Sequence, residues 1–274
     1  MTPARDQRRP GPKAYLLITL FALALVLLPF LFWYQTWFGR KLTDSQITEY
    51  FNDKERPRHA QHALVQIGER VQQHRDVSRW YPDILRQASS PSLEIRQTAA
   101  WIMGQVSGYE PFHEALVRLV HDPQPMVRRN AALALANYRD NAAEPELDTM
   151  LQPYIIAAPV AGSLKYRLKL GDYVNPGTLV AHIGETEVRS AVPGEVRSLE
   201  SRDGAAVKPG DAIADLSADK NHIWEALRAL VLVGQPSDLE LVARYTHPVP
   251  GLPDTIERQA LETRQAIEER ARQQ

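Results

Sequence analysis

Ala158-Pro159-Val160-Ala161-Gly162, followed by Leu170-Gly171-Asp172 and Asn175-Pro176-Gly177-Thr178-Leu179, is answered further along by Ala191-Val192-Pro193-Gly194-Glu195, Asp203-Gly204 and Lys208-Pro209-Gly210-Asp211-Ala212-Ile213. The glycines pair as Gly171 with Gly204 and Gly177 with Gly210, each at an offset of 33. Short apolar runs (Val160, Val174, Leu179-Val180; Val196, Val207, Ile213) lie between turns carrying Gly, Pro, Asp and Asn, the pattern of strands punctuated by tight turns. Glycine after Pro or Asp supplies the positive φ such turns require. Two halves built alike predict a pseudo-twofold β unit over residues 153–219.

The doubled A-P-V-x-G and G-D-x-V-x-x-G phrase resembles the biotinyl/lipoyl domain, a flattened sandwich of two four-stranded sheets, and its relatives in the periplasmic adaptors of export systems. Carriers of that family present a lysine on the hairpin joining the halves, where the biotin or lipoyl arm is attached. Here that segment is Ile183-Gly184-Glu185-Thr186-Glu187-Val188-Arg189-Ser190, and no lysine occurs between Lys169 and Lys208. Val188 stands where the modified amine would be. The resemblance therefore implies a rigid docking module without a prosthetic group. Its expected partner contacts are Glu185, Thr186 and Glu187 at the hairpin tip, with Tyr166, Asp172 and Tyr173 near the first turn.

A second self-similarity joins Ile95-Arg96-Gln97-Thr98-Ala99-Ala100 to Val127-Arg128-Arg129-Asn130-Ala131-Ala132 at an offset of 32. Each copy follows a Pro-containing turn and an apolar helical stretch, Tyr81 to Gln87 and Phe112 to Val120, which is a helix–turn–helix unit at solenoid spacing. Pro125-Met126-Val127-Arg128-Arg129-Asn130-Ala131-Ala132-Leu133-Ala134-Leu135 resembles the opening of the second helix of a HEAT repeat. The resemblance implies that Arg96 and Arg128 bond neighbouring turns as a structural ladder rather than lining an anion groove with Arg129. A degenerate earlier copy runs from Asp44 to Val71. A repeat starting at Glu144 stops at Leu151 and resumes at Asn221, so the β unit reads as an insertion within one repeat. The expected helical segments are 42–152 and 220–274, the last of them polar enough to cap a solenoid.

Residues Ala14 to Tyr34 are 21 consecutive uncharged positions, about 31 Å as a helix, which predicts a transmembrane span over 14–38. Arg5, Arg8, Arg9 and Lys13 precede it and only Arg40 and Lys41 follow. By the positive-inside rule, residues 1–13 form a cytoplasmic basic tail and the body faces the periplasm or exterior. Trp33, Tyr34, Trp37 and Phe38 read as an interface belt. The expectation is a single-pass inner-membrane protein with lipid contact through Ala14 to Phe38. Its fold class is α+β: a transmembrane helix, then a HEAT-like α-solenoid interrupted by the β sandwich.

Composition narrows the function. Six of the 32 basic residues and one of the 33 acidic residues lie at or before Lys41, leaving a body with six more acidic than basic residues, unsuited to nucleic acid. There is no cysteine, hence no disulfide or thiolate metal site. His59 and His62, three apart on a predicted helix with Glu69 beyond, have a spacing at which imidazoles share a metal, but a solvated helix face is the stronger reading. His182 reads as a structural strand histidine, and Trp80, Tyr81 and Trp101 as packing between repeats. No nucleophile stands beside a base and no glycine loop is shaped for phosphate. The sequence thus predicts a non-enzymatic scaffold or accessory subunit of a membrane complex, with no cofactor, metal or small-molecule substrate. The alternatives are a periplasmic adaptor of an export system, or a carrier or accessory subunit of a biotin- or lipoate-dependent complex.

Overall fold

The computed structural model describes residues 12–36, 40–53, 55–106 and 108–273. The chain divides into two compact units, 1–66 and 67–274. The first contains α1 (Pro12–Thr36), α2 (Asp44–Asn52) and the start of α3 (Pro57–Gln72). Thr43 opens α2 with a capping box: its hydroxyl accepts the Gln46 N–H at 3.3 Å while the Gln46 amide oxygen accepts the Thr43 N–H at 3.0 Å. Ile47, Phe51 and Leu64 are buried.

The single-pass inner-membrane placement is corrected here: among the described residues no helix is long and apolar enough to cross a membrane. α1 spans Pro12–Thr36 with Pro29 inside it. Its large apolar side chains are exposed. The expected lipid contact through Ala14 to Phe38, the cytoplasmic N-terminus and the periplasmic body lose their support with that placement. Arg5, Arg8, Arg9, Trp37 and Phe38 lie outside the described residues, as do the side chains of Trp33 and Tyr34.

The second unit is built from helix pairs. α4 (Tyr81–Gln87) and α5 (Leu93–Gly104) form one pair, and α6 (Glu110–Leu119) and α7 (Pro125–Asn137) the next. α5 packs on α7 closely enough that a Cβ added at Gly104 would lie 2.5 Å from Ala134 Cβ, which explains the paired small residues of the repeated phrase. Between the first helices of the two pairs, Tyr81 meets Tyr109 and Phe112 with ring centroids 4.7 and 4.8 Å apart. Trp80 is buried. Trp80 and Phe112 are core, and Tyr81 and Tyr109 are half-buried against Phe112.

After α8 (Glu144–Met150) the chain enters eight strands: β1 (Tyr154–Ala157), β2 (Gly162–Tyr166), β3 (Tyr173–Val174), β4 (Leu179–Ile183), β5 (Thr186–Arg189), β6 (Gly194–Leu199), β7 (Ala206–Val207) and β8 (Ala212–Leu216). They make two four-stranded sheets, ordered β1-β8-β6-β3 and β5-β4-β2-β7. Adding four to each strand number of the first sheet, and wrapping round at eight, generates the second. The two halves of the doubled phrase are thus related by a pseudo-twofold that exchanges strands between sheets. Its core is aliphatic, with Leu164, Val174, Val180, Ile213 and Leu216 fully buried.

The turns repeat as closely as the strands. Gly171 and Gly204 have φ of 85° and 84°, Gly177 and Gly210 of 85° and 90°, all in the left-handed region. In the Asn175-Pro-Gly-Thr178 turn the Asn175 N–H donates to Thr178 Oγ1 at 3.0 Å, and in the Lys208-Pro-Gly-Asp211 turn the Lys208 N–H donates to Asp211 Oδ2 at 2.8 Å.

Asp219 then caps α9 (Lys220–Val233), which packs against α7 and α8, so the helical stack continues across the eight strands. α10 (Leu239–Ala243) and α11 (Asp254–Gln273) follow, with α11 lying on α9. Thr263 on α11 is fully buried and donates to the Leu227 carbonyl at 2.9 Å.

Candidate functional site

The repeated arginines act as clamps. Arg96 Nε and Nη2 reach the Asp122 carboxylate at 2.7 and 3.0 Å, and Nη1 bonds the Ser90 carbonyl at 2.9 Å. One repeat on, Arg128 Nε bonds Glu146 at 2.7 Å and Nη1 the Asp122 carbonyl at 3.0 Å. Each guanidinium ties its own turn to a carboxylate of the next repeat, a charge-assisted ladder. The pKa of Asp122 is held low by Arg96 and the Gln124 N–H, against a burial effect acting the other way.

Arg129 is different. Only 5% exposed, it turns toward the sandwich side and donates from Nη1 to His222 Nδ1 at 2.8 Å. Burial first, and the adjacent guanidinium second, push the His222 pKa down to about 4, so its ring is neutral at pH 7 and Nδ1 accepts the arginine proton. Glu146 Oε1 lies 3.8 Å from Arg129 Nε. Alongside, Asp219 accepts the N–H groups of Asn221 and His222 and the Tyr173 hydroxyl at 2.6 Å. Burial and then this carboxylate push Tyr173 up to about 12. Tyr245 donates to the Leu151 carbonyl at 2.7 Å. This seam of polar contacts ties β3 to the head of α9, α7 to α9, and the end of α8 to the segment after α10.

Of the six expected contact residues, Glu185 is exposed at the β4–β5 hairpin tip, Thr186 is half-buried, and Glu187 is exposed but paired with Arg189 at 2.7 Å. Tyr166 spends its hydroxyl on the Ile213 carbonyl at 2.5 Å, Asp172 accepts the Lys169 N–H at 2.8 Å, and Tyr173 is held by Asp219. Thr186, Glu187 and Tyr166 belong to one sheet, whereas Tyr173 lies on an edge strand of the other.

The histidine pair also resolves differently from the solvated face expected. His62 is 8% exposed and its Nε2 lies 3.1 Å from the Arg40 carbonyl oxygen; His59 stacks on Tyr50 at 4.0 Å and reaches Asp53 at 2.7 Å. Among the described residues no three His, Cys, Asp or Glu side chains are grouped to hold a metal.

Two concavities border the seam. One, of about 250 Å³, is lined by Arg128, Arg129, Glu146, Tyr154 and Ile155. The larger, about 500 Å³, runs between β6 and the turn that precedes α11. Sequence reasoning had no signal for the larger, because Arg197 and Arg244 belong to no motif. The Asp219 cap was not singled out either, although an Asp immediately ahead of an apolar-periodic helix is a helix-start signal.

Residues 81–154 match the family model for HEAT repeats. A stretch of 81 residues is 38% identical to YqeB, an uncharacterized protein of Escherichia coli strain K12, covering 28% of this chain and 15% of that protein. The chain thus spans well under a fifth of this relative. HEAT repeats point to a protein-interaction role.

Proposed function

We propose that this chain is a non-catalytic docking scaffold, in which a HEAT-type helical stack carries a lipoyl-like sandwich as a fixed second surface. The observation that carries this reading is the seam: Tyr173 of β3 is bonded to Asp219 at the head of α9, and the helical segments on either side of the strands are bonded to one another through Arg129 to His222 and Tyr245 to Leu151. A carrier domain must swing between active sites, whereas a module fastened this way presents its surface in one orientation. The β4–β5 hairpin carries no lysine on which an acyl arm could be hung, and its tip, Gly184-Glu185, offers a carboxylate. Buried arginines serve the stack itself, leaving exposed faces for partners.

The test is tandem affinity purification from the source organism of the parent chain and of a Glu185→Lys, Glu187→Lys variant, together with intact mass. Co-purifying subunits that stay with the parent and leave the variant support docking through the hairpin. A mass increment matching a biotinyl or lipoyl group would overturn the non-carrier reading.

A further inference from the structure

The 500 Å³ cleft has a composition at odds with the rest of the body. Its sandwich wall carries Arg197, on β6, and its opposite wall Arg244, at the end of α10. Both are exposed, and neither guanidinium has a hydrogen bond or ion pair among the described residues. Elsewhere Arg96, Arg128, Arg189 and Arg270 each hold a carboxylate or a carbonyl. Although far apart in sequence, Arg197 and Arg244 both bear on the Tyr245 hydroxyl, each opposing the upward pKa shift that burial imposes on it. Tyr245 commits its proton to Leu151, so the two guanidiniums are the charged donors the cleft has to offer. Two unpaired guanidiniums and one carboxylate, Glu195, border this concavity, leaving a net positive charge for an anion to complement in a body with six more acidic than basic residues.

The remaining walls define what else the occupant carries. Leu151 and Ile223 are buried at the cleft surface, and Val249, Pro250 and Leu252 form its rim. Glu195, two residues from Arg197 on the same strand, adds an acceptor with no ion pair among the described residues. The volume far exceeds a free inorganic anion. An acceptor beside two forked donors and an apolar lining matches a peptide, which brings a carboxylate, an apolar side chain and backbone N–H groups together.

We infer that this cleft binds an acidic peptide segment of a partner protein, seating an Asp or Glu carboxylate between Arg197 and Arg244 and an adjacent apolar side chain against Leu151 and Leu252. The inference rests on the docking reading and gives it a second surface, distinct from the hairpin tip.

The test is selection of a displayed random 12-residue peptide library on the full chain, followed by titration of the enriched peptides by fluorescence polarisation. Enriched peptides are expected to place Asp or Glu next to Leu, Ile, Val or Phe. Arg197→Ala and Arg244→Ala are each expected to weaken binding about tenfold or more, as for a hydrogen bond to a charged group. The double variant should be weaker than either, and Glu185→Lys should bind like the parent. Both arginines are exposed, so the variants should keep the parent's unfolding midpoint, measured in urea. Enriched peptides that lack acidic residues, or that bind the double variant as tightly as the parent, overturn the cleft assignment while leaving docking by another face standing. Failure to enrich any peptide also overturns it, and the docking reading then rests on the hairpin purification alone. Succinate binding the parent more tightly than any peptide would assign the cleft to a free small acid and overturn the peptide.

Discussion

Two regions of this molecule are built from doubled sequence at nearly the same offset, 32 in the helices and 33 in the strands, yet the copies combine in opposite ways. In the helical stack each copy lies beside the last: α5 on α7, α7 on α9, α9 on α11. Translation leaves ends, so the terminal helix must be polar outside. In the sandwich the copies exchange strands, each sheet drawing from both halves. Exchange closes on itself. A helix satisfies its backbone internally and can be stacked whole, whereas a strand must borrow hydrogen bonds from another strand, and the other copy supplies them.

This contrast breaks most visibly in the sandwich core. Leu164 is fully buried where the two sheets meet, and Leu164→Ala is expected to cost about 2–5 kcal/mol in urea unfolding. Hydrogen exchange should accelerate through all eight strands, since no sheet belongs to one half. Gly104→Val probes the translational case: the new side chain must displace Ala134, at about 1–3 kcal/mol for overpacking. There the added exchange should concentrate in α5 and α7. Uniform acceleration in both variants would erase the distinction.

The seam is the next test. His222→Ala removes the acceptor of a buried guanidinium, and unfolding should be easier by about 1.5–3 kcal/mol, the range for hydrogen bonds to charged groups. pH sharpens it. The folded pKa of His222, about 4, lies below the ordinary 6.5, so the unfolded chain binds the extra proton between those values. Its contribution to stability is complete above pH 6.5 and is lost as pH falls toward 4. On the neighbouring α8, burial followed by Asp238 raises Glu144 to about 7 and Asp148 to about 6. A carboxyl raised in the folded state has the reverse sign: its contribution is present at low pH and is lost as pH climbs through 6 to 7. Urea midpoints between pH 4 and 7.5 should therefore peak at lower pH for His222→Gln than for the parent, and at higher pH for Asp148→Asn. The smallest expected effect is Glu185→Lys at the exposed tip, within about 0.5 kcal/mol of the parent, which makes it a clean probe of docking.

Much of the architecture was readable in advance for a local reason. Gly177 and Gly210 marked turns because their φ is positive, and Arg96 and Arg128 were expected as ladder rungs because the phrase that carries them resembles the second helix of a HEAT repeat. The N-terminal helix shows the limit of local reading: hydropathy over 14–38 suggested a crossing that the described helix is not long and apolar enough to make. The histidines show it too. A spacing of three on a helix said nothing of Tyr50 or the Arg40 carbonyl, which decide what His59 and His62 do.

The amino-acid order alone determined the elements and their repetition, because turn glycines, helix periodicity and paired alanines act within a few residues of themselves. Tertiary structure alone decided which groups meet: that Arg129 finds a neutral His222, that Tyr173 finds Asp219, and that Arg197 and Arg244 face one cleft. Those pairs are separated by tens of residues and belong to different elements. Their energies depend on burial and distance in three dimensions, quantities that no run of neighbouring residues encodes.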